Sequence, residues 1–194
     1  MKGYLKLRKR SLEILNSKLP KDLSYHNVRH TLDVANVVNQ YIRREKIETH
    51  NAYLLRIAAL LHDMGFTVTK IEHEQKSMEM AEKLMLEHGF PLKDIKIVQG
   101  LIKATRVPQS PQNYLEKIIC DSDLDYLGRN DFYEISNLLF KELKNASIIT
   151  DENEWNKAQI KFLQTHQYHT VFAKKYRQPK KEKRISEIEK LIKK

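Results

Sequence analysis

The pair His62-Asp63 stands at the end of a segment whose other residues are almost all apolar. The segment, AYLLRIAALLHDMG over 52–65, predicts a central core helix that ends at Gly65. Burying a histidine and a carboxylate costs free energy unless a partner compensates them. A divalent metal ion compensates both, because imidazole nitrogens and carboxylate oxygens are good ligands for such ions. The pair therefore indicates a metal site, although a capped histidine at a helix end is a simpler interpretation of the dipeptide alone.

Two further histidines, His26 and His30, are four residues apart in the segment 25–30, which reads YHNVRH. If a helix has begun by His26, these two side chains share one face of it. The apolar stripe that follows predicts a helix over 27–46, with both histidines at the edge of the core. They are candidates for the same metal site, or they are surface and capping histidines at a helix N-terminus.

Aspartates recur in the segment 120–125, which reads CDSDLD. Asp121 and Asp125 are four residues apart and align with the apolar side of a predicted helix. Asp123 lies about 200° from Asp121 around such a helix, so the two cannot address one site equally well. An exposed, charged helix face is the simpler interpretation of this pattern taken alone.

Apolar residues recur at helical spacing through nearly the whole chain, and no convincing alternating strand occurs, so we predict an all-α fold. The chain has only 5 glycines and 5 prolines, which disfavours sandwiches and barrels rich in tight turns. Besides the segments above, helices are predicted over 3–18, over 73–89, from Pro91 to Thr105, from Ser110-Pro111 to Leu127, after Asp131, over 151–176 and over 181–193.

The composition is that of a single globular domain, with 194 residues of which 41% are hydrophobic. No apolar run is long enough to span a membrane, and the basic N-terminus lacks the apolar stretch of a signal peptide. The single cysteine, Cys120, excludes an internal disulfide and is expected to be a buried small group rather than a metal ligand. These features predict a soluble, cytoplasmic protein with no membrane partner.

The net charge of +10 is concentrated in the C-terminal segment 174–194, whereas the rest of the chain is close to neutral. One interpretation is a solvated helix end, where lysines are favoured by the helix dipole. The alternative is a nucleic-acid partner bound by this basic tail. The segment has no interleaved aromatic residue apart from Tyr176, which favours the first interpretation.

Taken together, these groups follow the order H…HD…D, and the chain resembles the HD-domain superfamily of metal-dependent phosphohydrolases. The resemblance covers residues 22–130 and is carried by YHNVRHTLDVA (25–35), LLRIAALLHDMG (54–65), HEQKSMEMA (73–81) and IICDSDLDYLG (118–128). The form YHNxxH is also similar to that of cyclic-nucleotide phosphodiesterases, which are distant members of the group. The resemblance implies a compact HD-domain helical bundle in residues 1–150, followed by a C-terminal helical extension with a basic tail in 151–194.

The resemblance also implies roles for individual residues. The implied metal ligands are His30, His62, Asp63 and an aspartate of the run 121–125. Asp123 is the preferred aspartate, because the closing aspartate of the family usually follows a small residue, here Ser122; Asp121 is the alternative. His26 matches the histidine that acts as general acid toward the leaving oxygen in the phosphodiesterases. The implied catalytic residues are therefore His26 and Asp63.

The pair His73-Glu74 matches a segment that reaches a second metal or the substrate phosphate in some members. Members that bind two metals carry a further histidine at the end of the following helix, where this chain has Lys103, Ala104, Thr105 and Arg106. The resemblance therefore implies one metal site more firmly than two. Lys103 and Arg106 are candidates for contacting a substrate phosphate, or they are surface cations.

The expected function is hydrolysis of a phosphoester or phosphoanhydride bond, with a small phosphorylated molecule, a cyclic or linear nucleotide, as substrate. The expected cofactor is a divalent ion, either Mn, Mg, Fe, Co, Ni or Zn, which activates a water molecule for attack on phosphorus. Two alternatives belong to other classes. The first is an HD binding module that senses a nucleotide without turnover, and the second is a nucleic-acid phosphohydrolase that uses the basic tail.

Overall fold

Helices account for every regular element of residues 3–192, the part of the chain that the computed structural model describes. This confirms the all-α fold predicted from the sequence. The α-helices of this part are α1 (Tyr4–Lys18), α2 (Val28–Arg44), α3 (Thr49–Leu61), α4 (His73–Glu87), α5 (Leu92–Thr105), α6 (Tyr114–Asp123), α7 (Phe132–Asn145), α8 (Glu152–Thr165), α9 (Val171–Tyr176) and α10 (Gln178–Glu189). Two 3-10 turns, Met64–Thr67 and Asp125–Gly128, follow α3 and α6. No helix of the described range is long and apolar enough to cross a membrane.

The chain divides into two compact units, and the main boundary lies between Asp123 and Leu124. The first unit contains α1 to α6, and the second contains α7 to α10 together with the short segment Asp22–Tyr25. The functional domain of residues 1–150 and the extension from residue 151 that the sequence indicated are not tested by this division and stay predictions.

The core of the first unit is built around α3, which packs against α1, α2, α4, α5 and α6. Its aliphatic residues are buried, and Leu54, Leu55 and Ile57 are fully buried. The helix begins after Glu48, whose carboxylate accepts hydrogen bonds from two backbone N–H groups of the first turn. The predicted central core helix is therefore present.

The predicted end of this helix at Gly65 is wrong, because α3 ends at Leu61 and Gly65 lies in the following 3-10 turn. Gly65 serves a close approach instead: a Cβ on it would lie 1.9 Å from the carbonyl oxygen of His73, the first residue of α4. Its N–H donates a hydrogen bond to Ser77 Oγ over 2.8 Å. The glycine thus lets the turn after α3 contact the start of α4.

The helix predicted from Ser110 to Leu127 is shorter at both ends. It begins at Tyr114 and ends at Asp123, and Ser110 lies outside it. Asn113 caps the helix instead of Ser110, since its Oδ1 accepts a hydrogen bond from the N–H of Glu116 over 3.0 Å. Because a 3-10 turn follows directly, Asp123 is the last residue of regular helix.

The core of the second unit is formed by apolar residues of α7 to α10, of the turn Asp125–Gly128 and of the segment Asp22–Tyr25. Tyr25 is 5% exposed. Its ring lies 5.7 Å from that of Tyr126, and its N–H donates a hydrogen bond to Glu142 Oε2 over 2.8 Å. A segment far away in sequence is thereby an integral part of the second unit.

The single helix predicted over 151–176 is interrupted, because residues 166–170 are not helical and separate α8 from α9. The Thr170 hydroxyl accepts a hydrogen bond from the N–H of Ala173 over 3.2 Å, so α9 has its own N-terminal cap. The last helix begins at Gln178 rather than at residue 181 and ends at Glu189, before its predicted end; residue 193 itself lies outside the described residues.

Candidate metal centre

Four polar side chains converge in the first unit, at the ends of three helices. His30 lies in the first turn of α2, His62 and Asp63 follow α3, and Asp123 ends α6. The Nε2 atoms of His30 and His62 are 3.2 Å apart. Asp63 Oδ2 lies 3.3 Å from each of them. Asp123 Oδ1 lies 3.2 Å from His30 Nε2 and 3.3 Å from His62 Nε2.

The spacing of these atoms is that of ligands around a single ion. Potential ligand atoms of His30, His62 and Asp123 all lie within 4.8 Å of one another, and Asp63 Oδ2 contacts the same two imidazoles. The four side chains are only 1% to 14% exposed. Two imidazoles and two carboxylates without a thiolate suit Mn or Fe at least as well as Zn.

Local hydrogen bonds position the two histidines. Asn27 caps α2, since its side chain accepts hydrogen bonds from the N–H groups of Arg29 and His30. Nδ1 of His62 lies 3.0 Å from the carbonyl oxygen of Ala59 and donates to it in the corresponding tautomer. This hydrogen bond leaves the lone pair of His62 Nε2 directed at the other three side chains, as a metal ligand requires.

The pKa values of the four groups reflect the close approach of two histidines and two carboxylates. Burial alone would lower the pKa of His30, but Asp123 and Asp63 raise it to about 9. Burial acts in the same way on His62, and Asp63 and Asp123 raise its pKa well above the usual value. Burial would raise the pKa of both carboxyls, yet the two histidines hold that of Asp63 well below its usual range and lower that of Asp123 to about 2. The histidines and the carboxylates therefore stabilise each other's charged forms at this point.

One oxygen of this group lacks a hydrogen bond. Asp63 Oδ2 is buried and has no hydrogen-bond partner among the described residues, although both imidazoles are near it. A buried carboxylate oxygen in that condition costs free energy that a bound cation would offset. The residues present therefore fit a divalent ion, with the two histidines and two aspartates as its candidate ligands.

Three aromatic rings lie next to the group. The ring of His26 stacks on that of Phe66, with centroids 4.3 Å apart, and Phe66 stacks on His73 at 3.9 Å. The centroid of His26 lies 6.0 Å from that of His30. The helix has not begun at His26, which precedes the first residue of α2, so His26 and His30 do not share a helix face. The structure nevertheless brings His26 beside the candidate ligands.

His73 and Glu74 lie on the other side of Asp63. His73 Nε2 is 3.5 Å from Asp63 Oδ1 and also 3.5 Å from Glu74 Oε1. Burial lowers the pKa of His73, and the neighbouring carboxylates only partly oppose this effect. Both residues thus adjoin the group, and the role that the sequence suggested for them stays a prediction.

Several residues singled out in the sequence are not part of the group. Asp121 is fully buried but is absent from the group that contains Asp123. Lys103 is exposed on α5, and the guanidinium of Arg106 lies 3.4 Å from Glu72 Oε1 on the surface. Cys120 is buried as expected, its thiol donates to the Ala104 carbonyl, and burial raises its pKa.

The sequence interpretation missed Phe66 and Ser77, which hold the surroundings of the group in place. The only sequence signal for Phe66 was its position directly after HDMG. Ser77 is fully buried and accepts the hydrogen bond from Gly65 N–H, a partnership between two segments that no local pattern indicates.

A family model described as the HD domain matches residues 27–126, more than half of the chain. The chain therefore belongs to the HD-domain family, whose members are metal-dependent phosphohydrolases. This confirms the resemblance read from the sequence and places the chain in that general class.

The fold is similar to the crystal structure of a predicted HD superfamily hydrolase from an uncultured Thermotogales bacterium, with a TM-score of 0.62 and 21% identity. The match covers 94% of this chain and 90% of that chain. At this level of identity, the similarity supports the fold. No curated protein matches the chain.

Proposed function

We propose that this protein hydrolyses a phosphoester or phosphoanhydride bond of a nucleotide, cyclic or linear. The observation that carries the proposal is the convergence of His30, His62, Asp63 and Asp123 in a member of the HD-domain family. A divalent ion, when bound, supplies a nucleophilic water at neutral pH and polarises a phosphoryl oxygen. The YHNxxH form at 25–30, similar to that of cyclic-nucleotide phosphodiesterases, supports a nucleotide as substrate.

The ligand side chains in this proposal hold the ion and set its charge. The two carboxylates, Asp63 and Asp123, offset two positive charges in a buried site. Hydrogen bonding of His62 Nδ1 to the Ala59 carbonyl keeps that ring in one tautomer and one orientation. The ligand geometry is therefore largely preorganised by the ends of α2, α3 and α6.

His26 is the proposed general acid, which donates a proton to the leaving oxygen as the bond to phosphorus breaks. Its ring centroid is 6.0 Å from that of His30 and lies outside the four-residue group. This position suits contact with a substrate beside the ion rather than ligation of the ion.

The proposal is tested by incubating the purified protein with each of several divalent ions and a panel of cyclic nucleotides, nucleoside mono-, di- and triphosphates and an aryl phosphodiester. We expect turnover with at least one combination. The variants His62→Ala and Asp63→Ala should lose more than about 100-fold in kcat/KM, since even groups that only orient ligands are worth about 10–100-fold.

Two matched variants control for the loss of a histidine or a carboxylate elsewhere. His50→Gln and Asp131→Asn alter partly exposed side chains outside the group and should retain activity. Unchanged turnover in both site variants would overturn the metal-site assignment. If the wild-type protein binds metal and nucleotide but hydrolyses no compound of the panel, the protein is a nucleotide-sensing module rather than a hydrolase.

A further inference from the structure

The ring of Phe66 contacts two histidines next to the candidate metal centre. It stacks on His26 with an interplanar angle of 25° and on His73 with an angle of 24°. Phe66 is only 6% exposed, so its ring is a buried packing surface for the imidazoles rather than a group on the protein surface. Stacked rings at centroid distances near 4 Å restrict each other's orientation.

The backbone that carries Phe66 is itself held next to the centre. Its N–H donates to the carbonyl of Asp63 over 3.1 Å, and the preceding Gly65 N–H donates to Ser77 Oγ over 2.8 Å. The Thr67 hydroxyl donates to the Met64 carbonyl over 2.8 Å. The ring therefore has a fixed position relative to the candidate ligand Asp63.

His26, by contrast, lies before the first residue of α2, so helical backbone does not set the direction of its side chain. The buried face of Phe66 restricts the orientation of the His26 ring at a centroid distance of 4.3 Å. Histidine rings that transfer protons must be held in one geometry, because small displacements are costly to the rate.

From this geometry we infer that Phe66 is a positioning residue, which aligns the His26 imidazole so that it can give its proton to the leaving group. The inference rests on the function proposed above for His26. It assigns to Phe66 an effect on rate that depends on how much the leaving group needs a proton. A residue that merely filled space would change all substrates alike.

The test uses a graded series of phosphodiesters on one scaffold, from the 4-nitrophenyl ester, which releases a stable 4-nitrophenolate anion, to unsubstituted phenyl and alkyl esters. In Phe66→Leu, kcat should fall about 10-fold or more for the poorest leaving groups, part of the about 100–10,000-fold that a general acid contributes. The 4-nitrophenyl ester should be nearly unaffected, and the metal content should remain that of wild type. Phe66→Tyr, which keeps the stacked ring, should restore the wild-type leaving-group dependence.

His26→Gln and the double variant His26→Gln/Phe66→Leu separate this inference from the proposed function. If Phe66 acts through His26, adding Phe66→Leu to His26→Gln should cause little further loss. An equal loss on every ester, or fully additive losses in the double variant, would overturn the positioning role while leaving His26 as the acid. A leaving-group dependence unchanged in His26→Gln would overturn both.

An NMR measurement tests the stacking of the His26 and Phe66 rings without an activity assay. A ring stacked at 4.3 Å shifts the His26 ring protons, and we expect that shift to disappear in Phe66→Leu and persist in Phe66→Tyr. Phe66→Met replaces Phe66→Leu in all measurements if the leucine variant does not fold. His26 ring signals that are identical in wild type and the aliphatic variant would contradict the inference.

Discussion

The two aspartates near the end of α6 differ in what they face. Asp123 contacts both imidazoles of the candidate centre, whereas Asp121 is buried outside the group. We expect Asp123→Asn to weaken binding of a divalent ion by at least about 10-fold, since it removes one charged donor. Asp121→Asn should leave metal affinity within a factor of about 3 of wild type, although its burial makes it destabilising.

Metal content per chain, measured by mass spectrometry after dialysis, distinguishes the two variants. Loss of metal from Asp121→Asn together with full metal content in Asp123→Asn would reverse the assignment. Circular dichroism of both variants establishes that the helices are intact during the comparison.

Helix geometry read from the sequence alone could not decide which of these two aspartates faces the histidines. Residues two apart point in different directions on a helix, but which direction faces the histidines depends on how α6 packs against α2 and α3. The same limit applied to His26, because the position of the Asn27 cap decides that His26 precedes the helix. The identities of His30, His62 and Asp63 were available from local pattern, and their convergence was not.

Among the elements, the turn Met64–Thr67 depends on the absence of a side chain at Gly65. Gly65→Ala would place a Cβ 1.9 Å from the His73 carbonyl oxygen, so the turn or α4 must shift. We expect a loss of about 1–3 kcal/mol in the free energy of unfolding, typical of overpacking. We also expect reduced turnover, because Phe66 and His73 would move with these elements.

Gly100→Ala is the matched control for that variant. Gly100 lies within α5, and a Cβ there would meet only the Glu116 carboxylate oxygen at 3.4 Å. Since alanine is the better helix former, this change should be neutral or stabilise by up to about 1 kcal/mol. Urea unfolding of both variants provides the measurement, and equal midpoints for the two would refute the close-approach role of Gly65.

Helix identity was predictable because apolar spacing is a local property, and the central α3 is the clearest case. The residues at which the helices end were less predictable. α3 ends at Leu61 and is followed by a 3-10 turn that packs against α4, and the break at residues 166–170 separates α8 from α9 without a proline or glycine. Such breaks arise from tertiary packing and side-chain caps, which a single sequence does not display.

At the scale of the whole molecule, binding of a metal ion at the candidate centre should raise the free energy of unfolding. An ion that binds only the folded protein stabilises it by about 2.7 kcal/mol at 100 times its dissociation constant. Thermal unfolding with excess Mn²⁺ should therefore occur at a higher temperature than with EDTA. The shift should vanish in His62→Ala and remain in His50→Gln; an identical Tm under both conditions in wild type would contradict the metal centre.

The basic C-terminal segment is anchored as well as charged. Ile188 and Lys181 are both 1% exposed, so α10 is part of the core of the second unit. Ile188→Ala should lower the free energy of unfolding by about 2–5 kcal/mol, whereas Leu191→Ala, 57% exposed, should change it by less than about 0.5 kcal/mol. Chemical denaturation measures both, and a neutral Ile188→Ala would contradict this packing.

A nucleic-acid role for the basic tail must accordingly be tested without truncation, which would remove part of that core. Lys174, Lys175, Lys180 and Lys183 are exposed, so we expect their replacement by glutamate to reverse the charge and retain the fold. We expect turnover of a small nucleotide to be unchanged in this variant. Binding of wild type to a single-stranded oligonucleotide that falls steeply with salt, and is lost in the variant, would favour the nucleic-acid alternative.

The second unit is discontinuous in sequence, and this affects how the protein can be divided. The chain passes between the units three times, at residues 21/22, 25/26 and 123/124. A fragment that ends at Asp123 keeps Tyr25 but loses Tyr126 and Glu142, the partners of its ring and of its N–H. A fragment that starts at Leu124 lacks Tyr25 altogether. No single cut therefore releases two self-sufficient pieces. A cut after Asp123 leaves all residues of the first unit in one fragment, but the core of the second unit is complete only when the segment Asp22–Tyr25 of that fragment binds the co-expressed C-terminal fragment.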